Sequence, residues 1–346
     1  MFFFINKKSV LLATAISVGC YGVAQAQSDT KEIAIDFEAW VGNREFTCGE
    51  SYDAVGAGES TVTPTDFRFY VSDVALIDED GNAIPLELEQ DGKWQYQNVA
   101  LLDFEDGTSA CDNGTAEMRT MVVGTIPEGD YQSLQFTLGV PEQLNHKDAA
   151  IAPSPLNLTS MWWNWQGGYK FLRVDLETEQ AIANVGSSHS QANHSQNEHG
   201  NIHAGQTSHG DSQTTSQSRQ PSIFVGGEDT NRPTSEAHSS HQGGSNSYLI
   251  HLGSTGCKDS AQSNLFGCSN PNRAEIVLED FNPEDDVVIA DLAELLYQTD
   301  LTTNQANTPS GCMSSPKDSD CSTIMQNLGL SFSGIEAEPQ LLFWVE

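Results

Sequence analysis

Positive charge is what this chain has least of. Fifteen Lys and Arg stand against 48 Asp and Glu over 346 residues, a formal net charge of −33. Such a field makes nucleic acid and anionic membrane surfaces poor partners. It fits an acidic, soluble surface that weakly gathers cations. Long apolar runs are also missing after the N-terminal region, so no later segment reads as a membrane span. The N-terminal exception is informative: Lys7 and Lys8 precede "SVLLATAISVGCYGVA", and the stretch closes on Ala24-Gln25-Ala26. A basic start, a short apolar run and an A-x-A site make a secretory signal peptide. Residues 1–26 are expected to be removed, leaving a mature chain of 27–346 in the periplasm or outside the cell. Cys20 follows Ser17 and Val18, a poor lipobox, so a lipid anchor is the lesser reading.

No cysteine is left over once the signal is gone. Six remain, Cys48, Cys111, Cys257, Cys268, Cys312 and Cys321, and an even count in an oxidising compartment reads as disulfides. Proximity favours Cys48–Cys111, Cys257–Cys268 and Cys312–Cys321. With all six paired, none is available as a metal ligand or nucleophile. Catalytic signatures are missing too: there is no G-x-S-x-G, H-E-x-x-H, P-loop or G-x-G-x-x-G in a supporting context. Acidic turns such as "DEDGN" (78–82) lack the spacing of a calcium loop. The chain is therefore not expected to be an enzyme.

What is present is period-two alternation. Ile33, Ile35, Phe37 and Ala39 alternate with polar residues, and "DFRFYVSDVALID" (66–78), "YQSLQFTLGV" (131–140), "YKFLRVDLE" (169–177), "NSYLIHLG" (246–253) and "AEIVLEDF" (274–281) behave alike. Asp80-Gly81, Asp91-Gly92 and Asp106-Gly107 supply turns between them. Two short helices are expected toward the C-terminus, "DLAELLYQ", opened by an Asp291/Glu294 capping-box spacing, and "CSTIMQNLGL" (321–330). The pattern predicts an all-β fold, an antiparallel β-sandwich.

Residues 186–246 break that pattern. They are Ser, Gln, Gly, Asn, Thr and His with one aromatic, Phe224. So little apolar surface cannot offset the entropy of ordering, and the segment reads as one long disordered loop joining two adjacent strands. Seven of the nine histidines lie in it, at irregular spacing: His189, His194, His199, His203, His209, His238 and His241. They suit loose metal gathering or a solvated linker equally.

Outside the insert only His146 and His251 remain. A lone histidine is commonly structural, but these two share the folded segments with "MWWNWQGGYKF" (161–171), which holds three of six tryptophans. Neutral imidazole suits copper and zinc. Spacing alone favours the indoles as core filling. A row of oxidisable rings ending near Tyr169 is the sharper alternative.

Several long stretches point further. "TPTDFRFYVSDVALID", "WQYQNVALLDFEDGTSAC", "TLGVPEQLNHKDAAIAPSPLNLTSMWWNWQGGYKFLRVDLE", "IHLGSTGC" and "GCMSSPKDSDC" together resemble the MbnP-like family, over residues 32–330 without the insert at 179–245. The resemblance implies a periplasmic copper-binding β-protein. Its expected partner is a di-haem, MbnH/MauG-like relative of cytochrome c peroxidase that oxidises a tryptophan to kynurenine. Indole nitrogen is a poor ligand, whereas kynurenine exposes an aryl amine and a ketone. By their place in "W-x-W-x-x-G-Y-K-F", Trp163 and Trp165 are the candidates, with Trp94 and Trp40 behind them; His146 and His251 are the candidate copper ligands. The W-x-H spacing of methanotroph relatives is missing here. Two other readings stand beside this one: a carbohydrate-binding or structural β-module using the indoles as a platform, and a zinc-gathering protein led by the insert.

Overall fold

Alternation at Ile33, Ile35, Phe37, Ala39 and Val41 buries one side of the strand Thr30–Val41, while Glu32, Asp36 and Glu38 face outward. The computed structural model describes residues 29–185, 245–259 and 266–346. The signal segment lies outside them, as does the insert except for its last two residues. Thr30–Val41 is central to the smaller sheet. It pairs antiparallel with Met121–Pro127 and parallel with Val287–Asp291, beyond which lies Phe343–Val345. The larger sheet is built on the long strand Ser60–Asp78. Its first half pairs with Leu172–Thr178 and its second half with Tyr131–Leu138. Ala274–Glu279 and Ser247–Leu252 extend the two sides.

Four phenylalanines lock the sheets face to face. Phe37 and Phe343 come from the smaller sheet, Phe69 and Phe136 from the larger. Their centroids lie 6.2 Å (Phe37–Phe69), 5.8 Å (Phe37–Phe136), 5.4 Å (Phe69–Phe343) and 5.1 Å (Phe136–Phe343) apart. The rings cross edge to face, the favoured aromatic arrangement. The fold is an all-β sandwich, mostly antiparallel as expected. The exceptions are parallel pairings such as Asp36–Trp40 with Val287–Asp291 and Leu249–Ile250 with Gly311–Cys312.

One feature of the larger sheet matters for function. Residues 66–72 of its long strand are buried on both faces. Phe67, Phe69 and Val71 point into the sandwich, so Asp66, Arg68, Tyr70 and Ser72 lie on the outer face, and other chain covers them. Part of that cover is the segment between Leu138 and Leu172. Tyr70 Oη donates to Pro155 O at 2.9 Å, Tyr169 Oη donates to Leu156 O, and the two rings meet at 5.9 Å.

The expected helices are present but short, Leu292–Leu295 and Cys321–Asn327. Asp291 Oδ1 caps the first by accepting from Ala293 N at 2.8 Å. A third turn of helix, Glu142–Asn145, was not foreseen and sits where a plain loop was expected before His146. The cysteines are bonded as Cys48–Cys111, Cys257–Cys268 and Cys312–Cys321. Leu172–Thr178 and Ser247–Leu252, on either side of the insert, pair with each other, from Leu172 opposite Leu252 to Glu177 opposite Ser247. The short strand Ala183–Val185 just before the insert pairs parallel with Thr303–Gln305. The carbonyls of Ser245 and Asn246 accept from Ile182 N and Thr178 N at 2.8 and 2.7 Å. No helix among the described residues is long and apolar enough to cross a membrane.

Candidate metal site

Three tryptophans in four positions resolve into a small hairpin. Trp162–Asn164 pairs with Gly168–Tyr169, Trp162 lying opposite Tyr169. Asn164 Oδ1 accepts from Gln166 N and Gly167 N, both at 2.8 Å, and turns the chain between them. A continuous extended run would have put Trp163 and Trp165 on one face. The turn separates them instead: Trp165 is 52 % exposed at the tip and Trp163 is half-buried below it. None of the three fills the space between the sheets, so the reading of the indoles as sandwich core does not hold. Trp162 packs against the core edge with its indole nitrogen buried and unpartnered among the described residues.

Trp163 is seated by a missing side chain. A Cβ on Gly253 would lie 2.4 Å from Trp163 Cζ3 and 2.7 Å from Tyr169 O. Only glycine lets the indole lie flat on the strand end two residues past His251. The fold places Trp94 and Trp40 elsewhere. Trp94 lies beneath Lys93 Nζ at 4.6 Å, and Trp40 packs on Trp344 in the smaller sheet.

His251 projects on the covered outer face, opposite Arg173. Its Nε2 lies 2.7 Å from Asp175 Oδ1, and a carboxylate can only accept. Burial lowers the imidazole's pKa despite that bond, so it is neutral with the proton on Nε2 and the lone pair on Nδ1. Burial works to raise the Asp175 carboxyl, yet the bond from His251 and the Arg173 guanidinium hold it well below the usual range. The chain of charge continues inward. Arg173 Nη2 donates to Asp175 Oδ2 at 2.6 Å and its Nε lies 3.2 Å from Asp66 Oδ2. Arg68 pairs with Asp66 and lies 3.4 Å from Glu105 Oε1. Arg68 and Asp66 are each 1 % exposed. Such buried charges persist only when paired.

His146 ends the unforeseen helical turn. Its Nδ1 lies 3.1 Å from the carbonyl of Trp165, which must accept, so Nε2 bears the lone pair in the neutral ring. Asn145 Nδ2 faces that nitrogen at 3.4 Å. Asn145 also clamps the hairpin, since its Oδ1 accepts from Tyr169 N at 2.9 Å, with Gly168 (φ +74°) beneath it where a Cβ would lie 2.5 Å away. Cys268 Sγ sits 3.4 Å from Nε2. His146, Cys257 and Cys268 are the one group of three ligand-type side chains among the described residues whose atoms lie within 4.8 Å of one another, and His251 is not in it.

Both candidate histidines thus border the indole hairpin, His146 through the Trp165 carbonyl and His251 through the strand end under Trp163. Each has one ring nitrogen held by an oxygen, the arrangement typical of metal-ligating histidine, and His146 Nε2 also faces Asn145 Nδ2. That donor set suits copper or zinc. Sequence reading missed Asp175, Asn145 and Gly253. Asp175 left a faint trace, since D-x-R at 66–68 and R-x-D at 173–175 put opposite charges on alternate positions of two strands that proved to be neighbours.

The sequence profile of the MbnP family matches residues 30–236, more than half of the chain. The matched span takes in His146 and the indole hairpin and stops before His251. Among solved structures, the chain is similar to MbnP from Methylosinus trichosporium, with a TM-score of 0.67 and 25 % identity. The match covers 92 % of this chain and 98 % of that one. Comparison with curated proteins finds no match.

Proposed function

The chain belongs to the MbnP family, and from that premise we propose that it is a non-enzymatic, periplasmic or secreted copper-binding protein serving copper storage, delivery or uptake. Copper is cargo in this reading. The observation that supports it is the orientation of His146 and His251, each held at one ring nitrogen by an oxygen beside the tryptophan hairpin. His251 Nδ1 and His146 Nε2 are the proposed donors. Asp175 positions His251 by fixing its tautomer, and Arg173 holds Asp175 ionised.

Maturation by a di-haem, MauG-like peroxidase relative completes the reading. The indole C2–C3 bond would break as two oxygens are added and four electrons pass to two equivalents of hydrogen peroxide, each reduced to water. Hydrolysis of the formamide would release formate to leave kynurenine with its aryl amine; the partner's haem would supply the oxidising chemistry. Trp163 and Trp165 are the proposed positions. Trp165 is open to a docking partner, and Trp163 lies next to the strand that carries His251.

Protein co-produced with the neighbouring di-haem protein should bind Cu(I) tightly in competition assays. His251→Ala and His146→Ala should weaken it, and Asp175→Asn should cost roughly 10- to 100-fold, the usual effect of removing a ligand's hydrogen-bond partner. Deleting residues 186–244 should leave the tight site in place. Peptide mass spectrometry should find one tryptophan of the hairpin converted. Intact tryptophans together with unchanged affinity in both histidine variants would defeat the proposal. Loss of binding on insert deletion alone would favour the zinc-gathering reading.

A further inference from the structure

The Cys257–Cys268 bridge differs from the other two in where it lies. Cys48, Cys111, Cys312 and Cys321 are 9 %, 0 %, 1 % and 0 % exposed. Cys257 and Cys268 are half-buried in an outlying hairpin, Thr255–Asp259 against Phe266–Asn270, with Gly256, Lys258, Gly267 and Ser269 exposed around them. Thiol–disulfide exchange requires access of an attacking thiolate to a sulfur, so this bridge is the accessible one. It is also the bridge with a ligand at its side. His146 Nε2 points at Cys268 Sγ from 3.4 Å, and both sulfurs and the nitrogen lie within 4.8 Å of one another.

We propose that Cys257, Cys268 and His146 form a second, redox-gated site for a soft metal cation, closed while the bridge is intact and opened by a dithiol reductant. The bridge accepts two electrons and two protons from the reductant, which leaves as its own disulfide. Both thiol protons are then released as the cation binds two thiolates and one imidazole. Thiolate donors select Cu(I), and three donors satisfy it. Opening the bridge does not scatter the ligands. Cys257 and Cys268 are direct cross-strand partners, flanked by the backbone pairing of Thr255 with Asn270 and of Lys258 with Gly267, which holds the two positions opposite each other. Asn270 Nδ2 donates to Thr255 Oγ1 at 3.1 Å and Ser254 Oγ to Pro271 O at 2.8 Å, tying the hairpin's base. The Trp165 carbonyl keeps His146 aimed at the sulfurs. This site shares His146 with the copper reading above and needs neither His251 nor kynurenine.

The test uses the full chain, purified oxidised, then treated with a mild dithiol that is removed before metal is added without oxygen. Peptide mapping should find free thiols at Cys257 and Cys268 before either other pair. Co(II) should then give thiolate-to-metal charge-transfer absorption, and Cu(I) competition should show a rise in affinity at unchanged stoichiometry, since His146 Nε2 holds one cation at a time. Both signals should be missing from oxidised protein and from Cys257→Ser/Cys268→Ser, weaker by tenfold or more in His146→Ala, and unchanged in His251→Ala. His251→Ala thus separates the fate of this site from that of the first. Earlier opening of a buried bridge, or mapped free thiols at 257 and 268 that bind neither probe, overturns the proposal.

Discussion

The two faces of the larger sheet use the same strands for opposite ends. On the inner face, Phe67 and Phe69 meet Phe104, Phe37 and Phe343 in close aromatic packing. On the outer face, Asp66 and Arg68 begin a line of buried charge that runs through Arg173 and Asp175 to His251. The inner face is held by area removed from water, a term indifferent to direction. The outer face depends on direction, because each charge there is tolerable only while its partner stays in place. The difference shows in the aromatic residues. Phenylalanine, with no polar atom, fills the sandwich, and the three tryptophans of 162–165 sit at the rim of the covered face.

Four perturbations measure how separate these regions are. Phe69→Ala should have the largest effect, about 3–5 kcal/mol of stability in denaturant unfolding, because the ring is fully buried among other rings. Trp165→Ala, at the exposed hairpin tip, should change stability by no more than about 0.5 kcal/mol. Equal losses would erase the contrast between core and rim. Gly253→Ala comes next, at about 1–3 kcal/mol, the usual cost of forcing a side chain into occupied space. It should also shift the tryptophan emission as Trp163 is lifted from the strand; unchanged emission and stability would show that the indole is not seated there.

The fourth perturbation is of pH, at Asp103, where the effect accrues gradually. Burial pushes its carboxyl up from 3.8 to about 8, and its Oδ2 has no hydrogen-bond partner among the described residues. The folded state therefore keeps a proton that the unfolded state releases between pH 3.8 and pH 8. Stability should decline as pH rises through that window, by at most about 1.4 kcal/mol per pH unit for one group. Asp103→Asn should flatten this part of the profile while leaving the inner core intact. A profile that is the same in both proteins would place the titration elsewhere.

Much of the frame was legible in advance. Ile33, Ile35 and Phe37 declared a half-buried strand through period-two alternation, which reports one buried face. The stretch at 66–72 shows the same alternation, yet its polar positions Asp66 and Arg68 are buried as well, which alternation alone does not report. The helical turn before His146 was invisible for a different reason: four residues carry no full helical period.

By itself, the sequence determined the all-β class, the candidate histidines His146 and His251, and the crowding of indoles at 162–165. These are properties of composition and of near neighbours along the chain. Only the tertiary structure decided what those residues face. Asp175 reaches His251 across a strand pair 76 residues apart in sequence, Gly253 makes room for Trp163, and His146 lies against a disulfide more than a hundred residues away. The physical reason is that a lone pair becomes available through the direction of a hydrogen bond. That direction is set by strand register and close packing between distant segments, about which local pattern carries no information.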